Sequence, residues 1–265
     1  MCGIVGIIGN RDAAPLLLSG LSKLEYRGYD SAGIAVVTPN GPQMRRAVGK
    51  LRNLKKSLEN APLEGVVGIG HTRWATHGAP SETNSHPHPD ASQTVWVVHN
   101  GIIENYAQLK AELEASGVEF RSSTDTEVVP NLIHRAYEKN GGDLILAIRT
   151  ALQNVRGAYS LAILHANHPD LLVAVRQTSP LVIGVGEGEN FCASDPLAIL
   201  SETRRIIFLD NAEMAVLRAD SYEIFGLEDG QSREKPIEEL DWNADSANLG
   251  DWPHFMLKEM HEQPE

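Results

Sequence analysis

A cysteine at position 2 offers chemistry that it offers nowhere else in a chain. It is small enough for the initiator methionine to be removed ahead of it, which would leave Cys2 with both a thiol and a free α-amine. An α-amine titrates at about 7.7–8.0, so an appreciable fraction is unprotonated near neutral pH. It can then take the thiol proton directly or through one water, placing a nucleophile and its base on one residue. Gly3 lets the backbone pass close to a substrate. Met-Cys-Gly alone is a weak signal, because chance placement of a cysteine accounts for it equally well.

Other segments add groups that such a nucleophile would need. Residues 71–78 read His-Thr-Arg-Trp-Ala-Thr-His-Gly directly after a valine-rich strand. Arg73 could hold a carboxylate through two parallel hydrogen bonds; the bland alternative is a surface loop with a stacked Arg–Trp pair. Asn100-Gly101 ends a second apolar run. Asn-Gly is most often a hairpin turn, but the Asn100 amide and the Gly101 N–H could instead form an oxyanion hole. The following residues lead into a helix rather than a returning strand, which weakens the turn reading. Asp125 lies in Thr124-Asp125-Thr126-Glu127, a capping box for a helix beginning at Thr124. A carboxylate there could also meet a substrate ammonium, so that Arg73 and Asp125 together would read the α-groups of an amino acid.

Two further segments tempt and fail. Ser85-His86-Pro87-His88-Pro89, with His71, His77 and His99, lacks a carboxylate at helical spacing from a His pair, so no metal is expected and a rigid loop beside the site is preferred. Gly184-Val185-Gly186-Glu187-Gly188-Glu189-Asn190 lacks the Gly-Lys-Ser/Thr ending of a phosphate loop and reads as a hairpin turn. Cys192 reads as a buried small hydrophobe.

Elements of two kinds must position these residues. Short β-branched runs predict strands at 3–8, 33–38, 66–71, 94–99, 159–164, 171–175, 181–185, 205–209, 214–217 and 222–225. After Ala158 they follow at turn-sized gaps, as in antiparallel hairpins. Helical periodicity predicts a helix capped by Asp12 with Leu17, Leu18, Leu21 and Leu24 on one face, and a second marked by Leu51, Leu54 and Leu58. A third runs through Tyr106, Leu109 and Leu113 to Gly117, a fourth from Thr124 through Val128, Leu132 and Ala136, and a fifth through Leu144, Ile148, Ala151 and Leu152. Many antiparallel strands with paired helices predict an α+β fold, helices layered on stacked sheets. The 265 residues carry a net charge of -12 without a basic stripe, so neither nucleic acid nor a membrane is an expected partner. The two cysteines do not suggest a disulfide framework, and the cytoplasm is the simplest location. From Glu228 onward 11 acidic residues face 3 basic ones, and after Asp241 the strand pattern stops, so 241–265 reads as a solvated acidic linker.

Taken together, the segments resemble the glutaminase domain of the class II glutamine amidotransferases. They are Met1-Cys2-Gly3-Ile4-Val5-Gly6, Glu25-Tyr26-Arg27-Gly28-Tyr29-Asp30-Ser31-Ala32-Gly33, the loop 71–78, His86-Pro87-His88, His99-Asn100-Gly101-Ile102-Ile103-Glu104-Asn105 and Thr124-Asp125-Thr126-Glu127. The match runs in order over residues 1–240. Arg27-Gly28-Tyr29-Asp30 and Arg73-Trp74-Ala75-Thr76-His77-Gly78 favour the branch that aminates fructose 6-phosphate to glucosamine 6-phosphate over the phosphoribosyl-amine-forming one. The resemblance implies an N-terminal-nucleophile hydrolase fold, an αββα sandwich of two antiparallel sheets. It implies hydrolysis of L-glutamine to L-glutamate and ammonia through a Cys2 thioester, without a cofactor. Asn100 and Gly101 would form the oxyanion hole, Arg73 and Asp125 would hold the glutamine α-groups, and Thr76, His77 and His86 would line the site. Trp74 would belong to a loop that closes over it, while Arg27 and Gly28 would position the N-terminus of Cys2. It further implies a C-terminal isomerase domain in a longer, homo-oligomeric enzyme. A phosphoribosyl acceptor, or an inert glutamine-binding module if Met1 is retained, are the alternatives.

Overall fold

A computed structural model describes residues 2–75 and 78–241. The first half of the chain runs β1 (Gly3–Ile8), α1 (Ala13–Lys23), β2 (Ser31–Thr38), β3 (Gly41–Val48), α2 (Leu51–Asn60), β4 (Val67–Arg73), β5 (His88–Pro89), β6 (Val95–Ile103), α3 (Tyr106–Ala115), α4 (Val128–Lys139) and α5 (Leu144–Leu152). Strands then dominate: β7 (Gly157–His165), β8 (His168–Gln177), β9 (Val182–Val185), β10 (Asn190–Ala193), β11 (Arg205–Phe208), β12 (Glu213–Leu217), β13 (Tyr222–Gly226) and β14 (Glu238–Glu239). They form an eight-stranded sheet ordered β14-β11-β9-β10-β1-β4-β2-β3 and a six-stranded sheet ordered β13-β12-β8-β7-β6-β5. The registered pairs within both sheets are antiparallel.

Alternation along the strands builds the layers, because successive side chains point to opposite faces. In β1, Val5 and Ile7 join Leu17 and Leu21 of α1 and Leu54 and Leu58 of α2 in one apolar cluster. Ile4 and Ile8 face the other way, into a cluster shared with Ile69 of β4, Trp96 and Val98 of β6 and Leu172 of β8, which lies between the sheets. Val95 and Val97 of β6 turn outward to Leu109 and Leu113 of α3, Val129 and Leu132 of α4 and Ile148 of α5. The result is helix, sheet, sheet, helix: the expected α+β, αββα sandwich. Cys192 is fully buried between the sheets.

Several expectations are corrected at element boundaries. Asp12 makes no side-chain cap on α1; its carboxylate accepts from the Gly65 N–H at 3.4 Å instead. The capping box at 124–127 does not form, and α4 begins at Val128. Glu127 cannot reach back because its carboxylate accepts from the Arg121 and Ser122 N–H groups, at 2.9 and 2.7 Å, organising the preceding loop. The strand expected to end at His99 continues to Ile103, so Asn100-Gly101 is neither a hairpin turn nor a strand end. Gly101 holds φ at +128°, and a Cβ there would lie 1.9 Å from the Ala158 carbonyl oxygen. Only glycine lets β6 stay paired with β7 through this residue. The turn expected at 184–190 does join β9 to β10. Strands β3, β5, β10 and β14 went unforeseen; β3 has mostly half-exposed residues and little apolar alternation.

Candidate active site

The site sits at one end of the inter-sheet layer, where β1, β4 and β6 meet. Period-2 alternation aims β4 at it: Val67 and Ile69 fill the inter-sheet core, and His71 and Arg73 follow on the same face. On β6, Trp96 and Val98 face the same core, and Asn100 is the next residue in phase. A polar end is thus appended to an apolar face on each strand. A cavity of about 330 Å³ opens there, a volume within the range of small-ligand pockets. Cys2, Arg27, Arg73, Trp74, His86, Asn100, Gly101 and Asp125 all line it.

Cys2 is held between the end of β4 and β6. The Trp74 N–H donates to Cys2 Sγ at 3.2 Å, and the Asn100 Nδ2 donates to the Cys2 carbonyl at 3.1 Å. Burial pushes the thiol's pKa up, opposed chiefly by the Trp74 N–H and by positive charge that includes Arg73. The 74–75 backbone is pinned by Asp30, whose carboxylate accepts from the Ala75 N–H at 2.8 Å, while the Asp30 N–H donates to the Arg73 carbonyl at 3.0 Å. Gly28 lies against this segment: a Cβ there would stand 2.8 Å from the Arg73 carbonyl carbon. Arg27 forms an ion pair with Asp195, and Ser194 beside that aspartate accepts from the Ile4 N–H at 3.0 Å. Arg27 and Gly28 therefore buttress the cavity wall and the 73–74 backbone next to Cys2.

Arg73 is buried, and its guanidinium donates to the Gly78 carbonyl at 3.1 Å. Burial lowers its pKa, with Cys2, Asp125 and Asp30 pulling it back up. Asp125 is buried too, its Oδ2 accepting from the Ile103 N–H at 2.8 Å. Since α4 starts three residues later, this carboxylate is anchored by β6 rather than by the helix. Trp74 is 44% exposed and meets the Tyr29 ring edge-on, with centroids 5.4 Å apart.

His71, His86, His88 and His99 form a buried wall at the cavity rather than an exposed cluster. His71 and His86 stack with centroids 4.2 Å apart and planes 13° apart, and His88 Nε2 lies 3.2 Å from the Thr124 hydroxyl. Burial drives all three imidazoles below the ordinary histidine pKa, His71 to about 3, so they are neutral at physiological pH. Ser85, His86 and His88 are buried, so the loop at 85–89 packs beside the cavity. Thr76 and His77 lie outside the described residues, as does Met1. Asp195, Asp30, Ser179, Pro180 and Thr126 were not anticipated. Asp30 stood in the motif without a role, and Asp195-Pro196 carries the signature of a short helical start, its carboxylate accepting from the Leu197 N–H at 2.9 Å.

Known proteins resemble this chain in sequence and in fold. Residues 71–201 match the model of a glutamine amidotransferase domain. Glutamine–fructose-6-phosphate aminotransferase (isomerizing) of Thermus thermophilus is 51% identical over 264 residues, covering all of this chain and 43% of the relative. The enzyme of the same name from Caldanaerobacter subterraneus is 50% identical over 267 residues, again 43% of its length. The chain thus spans less than half the length of the curated relatives it matches. Among solved structures, the glutamine phosphoribosylpyrophosphate amidotransferase of B. subtilis superposes with a TM-score of 0.74 at 26% identity, over 86% of this chain and 50% of that one. With two stacked antiparallel sheets, a cysteine at the head of the first strand and these likenesses, the chain belongs to the class II glutamine amidotransferase domain family.

Proposed function

We propose that this chain hydrolyses the side-chain amide of L-glutamine to L-glutamate and ammonia, with Cys2 as nucleophile. One observation carries the reading: a thiol, an amide donor, a guanidinium and a carboxylate line a single cavity sized for a small ligand. Arg73 pairs with the glutamine α-carboxylate and Asp125 with its α-ammonium, so the side-chain amide is delivered to Sγ. After removal of Met1, the Cys2 α-amine takes the thiol proton. The thiolate attacks the amide carbon, and the Asn100 Nδ2 and Gly101 N–H stabilise the developing oxyanion. The C–N bond then breaks as the α-ammonium returns its proton to the leaving ammonia. Water, activated by the same amine, cleaves the thioester and releases glutamate. Thr76, His77 and His86 complete the glutamine site, and Trp74 belongs to the loop that closes over it.

In the longer protein we infer that the ammonia serves a C-terminal domain that aminates fructose 6-phosphate, with 241–265 as the connection. The 51% identity to relatives of that name supports this over a phosphoribosyl acceptor, which rests on 26% identity. The test is direct. Cys2→Ala should abolish ammonia release from glutamine while calorimetry still detects glutamine binding; hydrolysis at a comparable rate would mean another nucleophile. Supplying the full-length protein with glutamine and either fructose 6-phosphate or phosphoribosyl pyrophosphate separates the two acceptors by product.

A further inference from the structure

His71 is a buried side chain to which the mechanism above assigns nothing, yet it touches the oxyanion donor. Its Nε2 lies 3.0 Å from the His99 carbonyl oxygen and 3.0 Å from the Asn100 Oδ1. A backbone carbonyl can only accept, so Nε2 must carry the ring proton. Once Nε2 is a donor, the Asn100 atom facing it must be the oxygen, and the Asn100 nitrogen must face the other way. There it donates to the Cys2 carbonyl, itself an acceptor only, at 3.1 Å. Two backbone carbonyls, one on each side, thus fix which end of the carboxamide is which.

The arrangement follows from where β5 stops. β5 covers β6 only at His88–Val97 and Pro89–Trp96, leaving the outward N–H and C=O of His99 without a strand partner. Two imidazoles take the place of that strand. The His99 N–H donates to His86 Nδ1 at 3.1 Å, and the His99 carbonyl accepts from His71. Each bond sets the tautomer of one ring, and the rings stack against each other. The remaining His71 nitrogen, Nδ1, is buried without a hydrogen-bond partner among the described residues, and with the proton on Nε2 it is the unprotonated nitrogen. The ring stays neutral, with its pKa pushed down to about 3 by burial.

We propose that His71 is a positioning residue for glutamine hydrolysis: as a neutral Nε2–H donor it locks the Asn100 carboxamide so that Nδ2, not Oδ1, faces Cys2 and the reacting amide. The inference rests on the reading of Asn100 as an oxyanion donor. A flipped carboxamide would set its oxygen against the Cys2 carbonyl and present the developing oxyanion with an acceptor. His71 reaches the reacting amide through Asn100, so it should act chiefly on kcat rather than on glutamine binding.

The experiment combines a double-mutant cycle with a tautomer measurement on the unaltered chain. His71→Phe, which keeps a ring but removes the donor, should lower kcat for ammonia release about 10²-fold, the scale of losing one oxyanion donor. KM should stay within about threefold, as expected for an interaction made only in the transition state. His71→Gln, whose amide nitrogen can stand where Nε2 stood, should recover most of that loss. In an Asn100→Ala background, His71→Phe should cost nothing further, because its route to the chemistry is already gone. Additive losses, or an effect on KM instead of kcat, would overturn the role. If Asn100→Ala itself leaves kcat unchanged, the oxyanion reading fails; if Asn100→Ala is impaired but His71→Phe is not, only the present inference fails. Should His71→Phe not fold, ¹⁵N NMR of the wild-type ring decides. A neutral Nε2–H tautomer from about pH 5 to 8 is expected, and an Nδ1–H tautomer or an imidazolium in that range would contradict it.

Discussion

Arg73 and Asp125 illustrate how single residues divide the work of binding. Asp125 is held by the Ile103 N–H through one carboxylate oxygen, a bond that an asparagine oxygen can also accept. Asp125→Asn should therefore keep the fold and lose only the charge that meets the substrate ammonium. We expect KM for glutamine to rise by about 10- to 100-fold, the span of one charged hydrogen bond of about 1.5–3 kcal/mol, with kcat changed much less. Steady-state ammonia release checks this; an unchanged KM would remove Asp125 from the site. Arg73→Lys should behave similarly, because a point charge cannot reproduce a two-pronged carboxylate contact. At this scale the sequence was informative where chemistry demands rare residue types: a penultimate cysteine, an arginine after a strand and an Asn-Gly before a helix. It was silent on Asp30 and Asp195, whose work is to hold backbone and a neighbouring guanidinium. An aspartate that serves another residue carries no spacing of its own.

At the scale of elements, β6 is the most instructive. Its apolar alternation predicts a strand to His99, and the Asn-Gly that follows looks like an end. The strand nevertheless runs on, with Gly101 opposite Tyr159 of β7. Pairing with β7 overrides the local turn preference, and the positive φ at Gly101 is accommodated without breaking the strand. Gly101→Ala should destabilise the protein by about 1–3 kcal/mol, the usual cost of a side chain forced into this backbone region. It should also lower kcat by at least about tenfold, since its N–H would be displaced. Urea unfolding and ammonia release together test this, and wild-type values in both would show that the strand tolerates a Cβ. Helix α4 teaches the converse. Thr-x-x-Glu is a local signal, but the glutamate carboxylate is captured by the Arg121 and Ser122 N–H groups, so the helix starts one turn late. α2 receives its missing cap from afar, its Leu51 N–H donating to Glu25 at 3.0 Å, which no local pattern encodes.

For the whole molecule, the four layers were legible from alternating strands and apolar helix faces, while the strand order was not, because pairing partners far apart in sequence leave no periodic trace. The buried imidazoles give the folded state a distinctive acid response. His71, His86, His88 and His165 all have pKa values lowered by burial, to about 3 for His71 and about 4 for His165. The unfolded chain binds these protons near pH 6.5 and the folded chain does not, so between the two values the unfolded state carries more protons. Stability is thus fully present above about pH 6.5 and falls as pH drops below it, by up to about 1.4 kcal/mol per pH unit for each histidine involved. Urea midpoints measured from pH 7.5 to 5 should decline steeply below 6.5. A flat profile would mean that these buried histidines are hydrated or charged in the folded state.

Glutamine hydrolysis by this mechanism requires Cys2 to act as the first residue of the chain. Acid-quenching the protein during turnover with glutamine, then locating the acyl group by mass spectrometry, tests that directly. The expected result is a glutamyl thioester on Cys2 in a chain that begins at Cys2, with its α-amine free. A glutamyl group on any other residue, or turnover by a chain that still begins at Met1, would contradict it.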